Sequence, residues 1–336
     1  MAERHEVLAA LSRALSHGED ELRPQFVAPD CIGRRSTVYF VGLRDEPARC
    51  RWVVKSPNSH VVREDLPPPA SAALQFAALR RAAEHLASDS DRLAAPRPVA
   101  LLPEIDAYAM AYVSGEKLSR RIRMAAVVRP ARLLEGIAAA ASIIRSLHRL
   151  EPAREVSIDL RTAVRGSLER SRAVLEGAGL PASFAAPLDS PERTAVTGKE
   201  VLLHGDFAPE NVLLTPRTTT CLEPDLVARG LVEQDLARFL TMLFEAPLFV
   251  VGAYVPAIQR LRRRAGQVFI AEYYEGDSPS PVLPALLYEA LAARCAARYV
   301  DCARRRPPAH RLRLHLLRTH FRRLLNEVGR GASVGR

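Results

Sequence analysis

Val201-Leu-Leu-His-Gly-Asp-Phe-Ala-Pro-Glu-Asn-Val-Leu-Leu214 sets a short polar cluster between two apolar runs, and the rest of the 336-residue chain reads as a frame around it. Both flanking runs are β-prone, which predicts a tight loop between strands that carries His204, Gly205, Asp206 and Asn211. Side chains of these types can accept a proton or bind a cation. Downstream, a hairpin is expected from Asn211 to Asp225, turning at Pro216-Arg217. A helix then opens at Glu233 with Asp235 in its first turn, where a carboxylate complements the helix dipole. Upstream, Ala185 to Lys199 is a Pro-, Ser-, Asp- and Thr-containing approach to the motif.

With 48% hydrophobic and 26% charged residues, the chain can bury a sizeable core as two modest domains or one two-lobed unit. Its most apolar stretch, Leu243 to Ile258, is interrupted by Glu245, Pro247 and Pro256, which argues against a membrane span. The amino-terminal segment spaces Val7, Leu8, Leu11 and Leu15 along one helix face and lacks the continuous apolar run of a secretory signal. Five cysteines, Cys31, Cys50, Cys221, Cys295 and Cys302, form no C-x-x-C pair, so neither a zinc site nor a disulfide framework is expected. Cytoplasmic residence is the default. The net charge of +10 is carried overwhelmingly by arginine. Such one-sided usage fits a coding bias, and nucleic-acid binding is not expected from charge alone.

After a break at Pro24 to Pro29, Cys31 to Val41 reads as strand, turn, strand. Gly33, Ser36 and Thr37 at the turn offer backbone N–H groups that could lie over phosphates, and an ordinary hairpin turn fits them equally well. Arg51 to Pro57 is the next strand, and its Lys55 is one of only three lysines. Alternation puts that ammonium on one face, where a compact charge suits a phosphate oxygen; a solvent-facing edge lysine is the plainer alternative. Ala70 to Ala87 is helical through Leu74, Ala78, Leu79 and Leu86, and Ala107 to Leu118 is an apolar strand running into the turn signal Ser114-Gly115. Beyond it, helices are expected over Ala131 to Leu150 and Leu160 to Leu175, with a basic helical tail from Arg294 to Asn326.

In this order, hairpin, strand lysine, helix, hinge, polar loop, second hairpin and Asp235 helix, the chain resembles the aminoglycoside phosphotransferase type of small-molecule kinase. The similarity runs from about Gly33 to Leu240 and is most specific from Leu203 to Leu236. His204-Gly205-Asp206 with Asn211 matches that family's H-G-D-x-x-x-x-N, Glu233 to Ala237 its D-L-A segment, and Tyr108 to Glu116 its nucleotide hinge. The resemblance implies an α+β, protein-kinase-like, two-lobed fold. Residues 1–113 would form a small, mainly antiparallel β lobe with a helix, and residues 114–336 a larger helical lobe with the catalytic loop and substrate-binding helices.

It also implies ATP or GTP with Mg²⁺, and γ-phosphoryl transfer to a hydroxyl of an antibiotic, sugar or related metabolite, a chemistry of placement and charge neutralisation. By the same carry-over Asp206 is the catalytic base, Lys55 grips the nucleotide phosphates, and Asn211 holds Mg²⁺. Met110 borders the adenine, with Ala111 and Val113 offering backbone C=O and N–H to the base. Asp235 accepts N–H bonds from the loop backbone, and His204 packs behind it.

Two departures stand out. Leu222-Glu-Pro-Asp225 replaces the family's Ile-Asp-Phe or Ile-Asp-Pro, so the second metal ligand is Glu223 by position or Asp225 by residue type. Gln75 stands where a glutamate partner for Lys55 is expected, with Glu64 and Glu84 the nearby acids. These departures keep open a second reading, a catalytically impaired nucleotide-binding or scaffold protein. Arginines such as Arg238, Arg262, Arg294 and Arg298 dominate the helical lobe, so a neutral or anionic acceptor is expected over a polycationic one. Glu245, Glu272, Glu275 and Asp277 could still converge on an amine.

Overall fold

Val7 and Leu11, spaced for one helix face, do lie buried on a helix, α1 (Arg4–Leu15), in a computed structural model of the chain. The structure describes residues 4–27, 36–46, 49–57, 70–123, 125–159, 169, 171, 195–224, 226, 228–304, 315–316, 319–324 and 327–328. Two compact units emerge: Met1–Gly115 with Thr215–Ala228, and Glu116–Leu214 with Arg229–Arg336.

In the first unit, β1 (Leu22–Val27), β2 (Ser36–Leu43), β3 (Cys50–Pro57), β4 (Pro98–Leu102) and β5 (Ala107–Ala111) form one antiparallel sheet in the order β1-β2-β3-β5-β4. Its two faces follow the strand period of two. Val54, Ala107 and Ala109 pack with Val7, Ala10 and Leu11 of α1. Tyr108, Met110 and Val53 pack instead with α2 (Ala72–Asp89), so the alternation sends Lys55 to the α2 side. The break expected at Pro24 to Pro29 is a strand up to Val27: Pro24 lies in β1, an edge strand with a register shift between Pro24 and Phe26. An edge needs N–H donors on one side only, which is why proline is tolerated there. Cys31 and Gly33, read as part of the strand and turn before β2, lie outside the described residues.

Helix α2 starts at Ser71, whose side chain accepts the Leu74 N–H. That phase turns Leu74, counted with the apolar face, outward, and turns Gln75 inward. The short strands Leu93–Ala94 and Thr219–Cys221 pair in parallel, and the turn at Pro216-Arg217 is closed by the Thr215 N–H on the Thr218 carbonyl at 2.9 Å.

In the second unit the long helices are α3 (Pro130–His148), α4 (Val232–Phe244), α5 (Pro256–Tyr273) and α6 (Val282–Arg304). A three-stranded antiparallel sheet joins β6 (Arg154–Asp159), β7 (Ala195–Leu202) and β9 (Arg229–Leu231), with β7 in the middle. Ala195 to Lys199, read as part of the approach, therefore belong to a strand, because β6 supplies ladder partners that no local signal announced. The short β8 (Val212–Leu214) pairs with Glu116–Lys117. Helix α3 passes close behind β8 at Gly136, where a Cβ would sit 2.7 Å from Leu214 Cδ1. The helix expected over Leu160 to Leu175 falls outside the described residues, Glu169 and Ser171 apart. The basic tail expected from Arg294 begins earlier, as α6, and residues 305–314 are outside the described set. No single helix among the described residues is long and apolar enough to cross a membrane.

Candidate active site

Strand β7 ends at Leu202 and β8 begins at Val212, which leaves His204 to Asn211 as a loop closed by one 3-10 turn at Pro209–Asn211. Phe207 is fully buried and anchors the loop from below: its ring stacks on Phe239 of α4 at 5.1 Å, and Phe239 on Phe269 of α5 at 4.2 Å. Gly205 has φ 81°, a left-handed conformation that a side chain would strain. That geometry aims two consecutive N–H groups at one carboxylate. Asp235 Oδ2 accepts from His204 N at 2.7 Å, and Oδ1 from Gly205 N at 3.1 Å.

Asp235 is 2% exposed and leans on a residue that sequence reasoning missed. His148, at the end of α3, places Nε2 3.1 Å from Asp235 Oδ2 and Nδ1 2.8 Å from the Tyr273 hydroxyl. Burial works against ionising Asp235. The hydrogen bonds from His148 and from the His204 backbone N–H outweigh it and hold the carboxyl below its ordinary value. The sole signal for His148 was its place on an apolar helix face with Ile144 and Leu147. His204 is itself fully buried, its ring edge against Phe207, and its Nδ1 accepts the Asp206 N–H at 3.3 Å. A cavity of about 410 Å³ adjoins this network, lined among others by His148, Tyr273 and Glu233. Burial pushes the Glu233 carboxyl up.

Above this foundation, Asp206 is 42% exposed at its side chain. Asn211 Nδ2 donates to the Asp206 carbonyl at 2.8 Å and reaches Oδ2 at 3.4 Å, so the amide nitrogen faces the loop. Arg238, from α4, donates its Nη2 to Asp206 Oδ1. Sequence reasoning counted Arg238 only among the basic residues of the lobe.

In the first unit Lys55 is no edge residue: it sits on the inner strand β3, 6% exposed, with Nζ 2.9 Å from Glu223 Oε2. Glu223 holds φ 55°, an uncommon conformation for a non-glycine residue and of the strained kind that recurs at functional sites. Gln75 is occupied elsewhere, donating to the Ala70 carbonyl at 2.9 Å and accepting from the Tyr108 hydroxyl at 3.3 Å. Glu84 is 3.9 Å from Arg80 at the surface. Glu64 and Asp225 lie outside the described residues. Ser36 and Thr37 are not at a turn tip; they open β2, opposite Pro57 and Ser56, and Thr37 is buried. Met110 is buried on β5, Ala111 donates its N–H to the Arg97 carbonyl at 2.8 Å, Tyr112 donates to Arg51 at 2.9 Å, and Val113 follows the strand.

Three of the four acids that could have met an amine are held by arginines. Glu245, with a side chain 6% exposed, receives Arg294 and Arg298; Glu272 receives Ser142 and Arg145; Glu275 receives Arg149 at 2.6 Å. The Arg149 hydrogen bond, with the charges of Arg145 and Arg149, holds the Glu275 carboxyl below its ordinary value. Among the described residues no group of three or more His, Cys, Asp or Glu side chains is placed to hold a metal ion.

The profile of the phosphotransferase enzyme family matches residues 31–265 of this chain. No curated protein matches it significantly. Among solved structures it is similar to a glucosamine kinase in complex with glucosamine, ADP and inorganic phosphate, at 18% identity over 97% of this chain and 83% of that one, with a TM-score of 0.54. It is also similar to choline kinase from Cryptosporidium parvum Iowa II, at 12% identity over 99% and 98% of the two chains, TM-score 0.54. A choline/ethanolamine kinase family protein from Mesorhizobium loti aligns at 17% identity over 97% and 99%, TM-score 0.51. At these identities the likeness is one of fold, and the fold is protein-kinase-like.

Proposed function

This chain belongs to the phosphotransferase enzyme family, a small-molecule kinase by class, and we propose that it moves the γ-phosphoryl group of ATP or GTP onto a hydroxyl of a small acceptor. The observation that carries this reading is the loop around Asp206. Its backbone is fixed from below by buried Asp235, while the Asp206 carboxylate stands 42% exposed at its surface. A reaction that depends on placement needs a rigid mount and an accessible base.

Asp206 orients the acceptor hydroxyl and takes its proton. Asn211, with its amide nitrogen turned to the loop, presents Oδ1 to Mg²⁺. Glu223 is the second metal ligand in preference to Asp225, a reading supported by its contact with Lys55 and its unusual φ. An amide oxygen and a carboxylate are the hard donors that Mg²⁺ takes, and the bound ion supplies neutralisation of phosphate charge. Lys55 grips the nucleotide phosphates, with Ser36 at the start of β2 on the same sheet face while Thr37 is turned to the other, and Met110, Ala111 and Val113 border the base. Residues 1–113 serve the nucleotide, and residues 114–336 supply the catalytic loop, the metal ligands and the acceptor-binding helices. Cytoplasmic residence fits the use of a nucleoside triphosphate donor.

The acceptor is neutral or anionic, a reading supported by the arginines that occupy Glu245, Glu272 and Glu275. One observation favours a second reading, a catalytically impaired nucleotide-binding or scaffold protein. Lys55 pairs with Glu223 directly, so the phosphate grip and the metal ligand neutralise each other.

A phosphate-release screen of the purified protein against hydroxyl compounds separates the two readings. Mg²⁺-dependent turnover that disappears in Asp206→Ala supports the enzyme. Equal turnover in that variant overturns the role given to Asp206, and nucleotide binding without transfer to any compound supports the scaffold.

A further inference from the structure

Arg238 is a cation that phosphoryl transfer to a neutral alcohol does not require. It lies one turn beyond Asp235 on α4 and donates Nη2 to Asp206 Oδ1. The two side chains are 46% and 42% exposed, so the pair stands in solvent, where such pairs hold weakly and exchange readily. Asp206 is the only acid within ion-pair distance of Arg238 among the described residues.

Elsewhere in the same unit Glu245 is held by Arg294 and Arg298, and Glu272 and Glu275 are held by Arg145 and Arg149. A cationic acceptor approaching Asp206 therefore meets a guanidinium already in contact with the group it needs. An anionic acceptor is attracted to the same guanidinium, whose planar fork binds a carboxylate or a phosphate through two parallel hydrogen bonds.

We propose that Arg238 recognises an anionic group on the acceptor, and that this group takes the place of Asp206 on the guanidinium when the acceptor binds. The exchange leaves the Asp206 carboxylate to the acceptor hydroxyl. Because Arg238 and Asp206 are in contact, the hydroxyl and the anion stand close together on the acceptor, as in a short hydroxy acid or a phosphorylated polyol. This rests on the phosphotransferase reading given above.

The test compares acceptors that differ only in the anion: glycerol, glycerate and glycerol phosphate, and glucose, gluconate and glucose phosphate. Transfer is measured for the wild type, Arg238→Gln and Arg238→Lys, with Mg²⁺-dependent nucleotide hydrolysis of the wild type alongside. In the wild type the anionic members are expected to show kcat/KM higher by about tenfold or more than their neutral counterparts. Arg238→Gln is expected to bring that ratio close to one, chiefly through KM of the anionic member, and Arg238→Lys to restore part of it. The carboxylate and phosphate arms identify which anion is read. A wild-type preference for the neutral members overturns the proposal, as does a preference that survives in Arg238→Gln. Hydrolysis without transfer to any anionic member also overturns it. Absence of both hydrolysis and transfer in the wild type overturns the phosphotransferase reading itself.

Discussion

Asp235 Oδ2 accepts the backbone N–H of His204 at 2.7 Å while lying 3.1 Å from His148 Nε2, so one buried oxygen joins the loop below Asp206 to the end of α3. Asp235→Asn keeps the shape but offers one acceptor oxygen in place of two. One loop N–H then faces an amide NH₂, and His148 loses its charged partner. The expected loss of stability is about 3 kcal/mol, in line with breaking a buried polar pair. Turnover should drop about a hundredfold as the loop loosens. Urea denaturation and steady-state kinetics on the same sample check both, and unchanged values for either would show that the loop is ordered by other contacts.

Gly205 carries the second of those N–H groups at φ 81°. A Cβ in the left-handed region costs roughly 1–2 kcal/mol, so Gly205→Ala should lower the melting temperature and move the N–H away from Asp235. A melting curve that overlays the wild type would contradict this.

His320 is 1% exposed and holds the Phe244 carbonyl at 2.7 Å through Nε2. Burial, opposed by that carbonyl and aided by the charges of Arg262 and Arg323, pushes its imidazole from 6.5 down to about 4. The folded state thus keeps His320 neutral while the unfolded chain takes up a proton below about pH 6.5. Its contribution is complete above that pH and is lost as pH falls towards about 4, amounting to about 3 kcal/mol at ~1.4 kcal/mol per unit. Denaturation series between these limits should show a shallower pH dependence for His320→Gln than for the wild type; parallel profiles would argue that other groups account for the fall.

Glu223 and Asp225 can be separated by their metal requirement. If Glu223 is the ligand, Glu223→Gln should raise the Mg²⁺ concentration for half-maximal rate by about tenfold or more, while Asp225→Asn shifts it by less than about twofold. The reverse pattern would move the ligand to Asp225.

What the sequence made legible was local. The helix face of α1, the alternation that turns Lys55 away from Val54, and the strand–loop–strand around Asp206 all follow from periods of two or 3.6 within a few residues. What stayed hidden depends on partners far along the chain. Lys55 meets Glu223 across 168 positions, a contact that left Gln75 free to serve the Tyr108 side of the sheet. His148 meets Asp235 across 87 positions, and Arg238 meets Asp206 across 32. Strand β1 was hidden for a different reason. Pro24 reads as a breaker, and only its edge position makes it acceptable. The first half of β7 becomes a strand because β6 pairs with it.

The central claim is that Asp206 acts on the acceptor hydroxyl in a phosphoryl transfer. Its most direct test is the rate of Mg²⁺-dependent transfer from ATP in the wild type and in Asp206→Asn, with nucleotide binding followed by thermal shift in both. The account predicts measurable transfer in the wild type and a fall of about 10²- to 10⁴-fold in the variant, with nucleotide-induced stabilisation retained. Transfer at an equal rate in Asp206→Asn would contradict it.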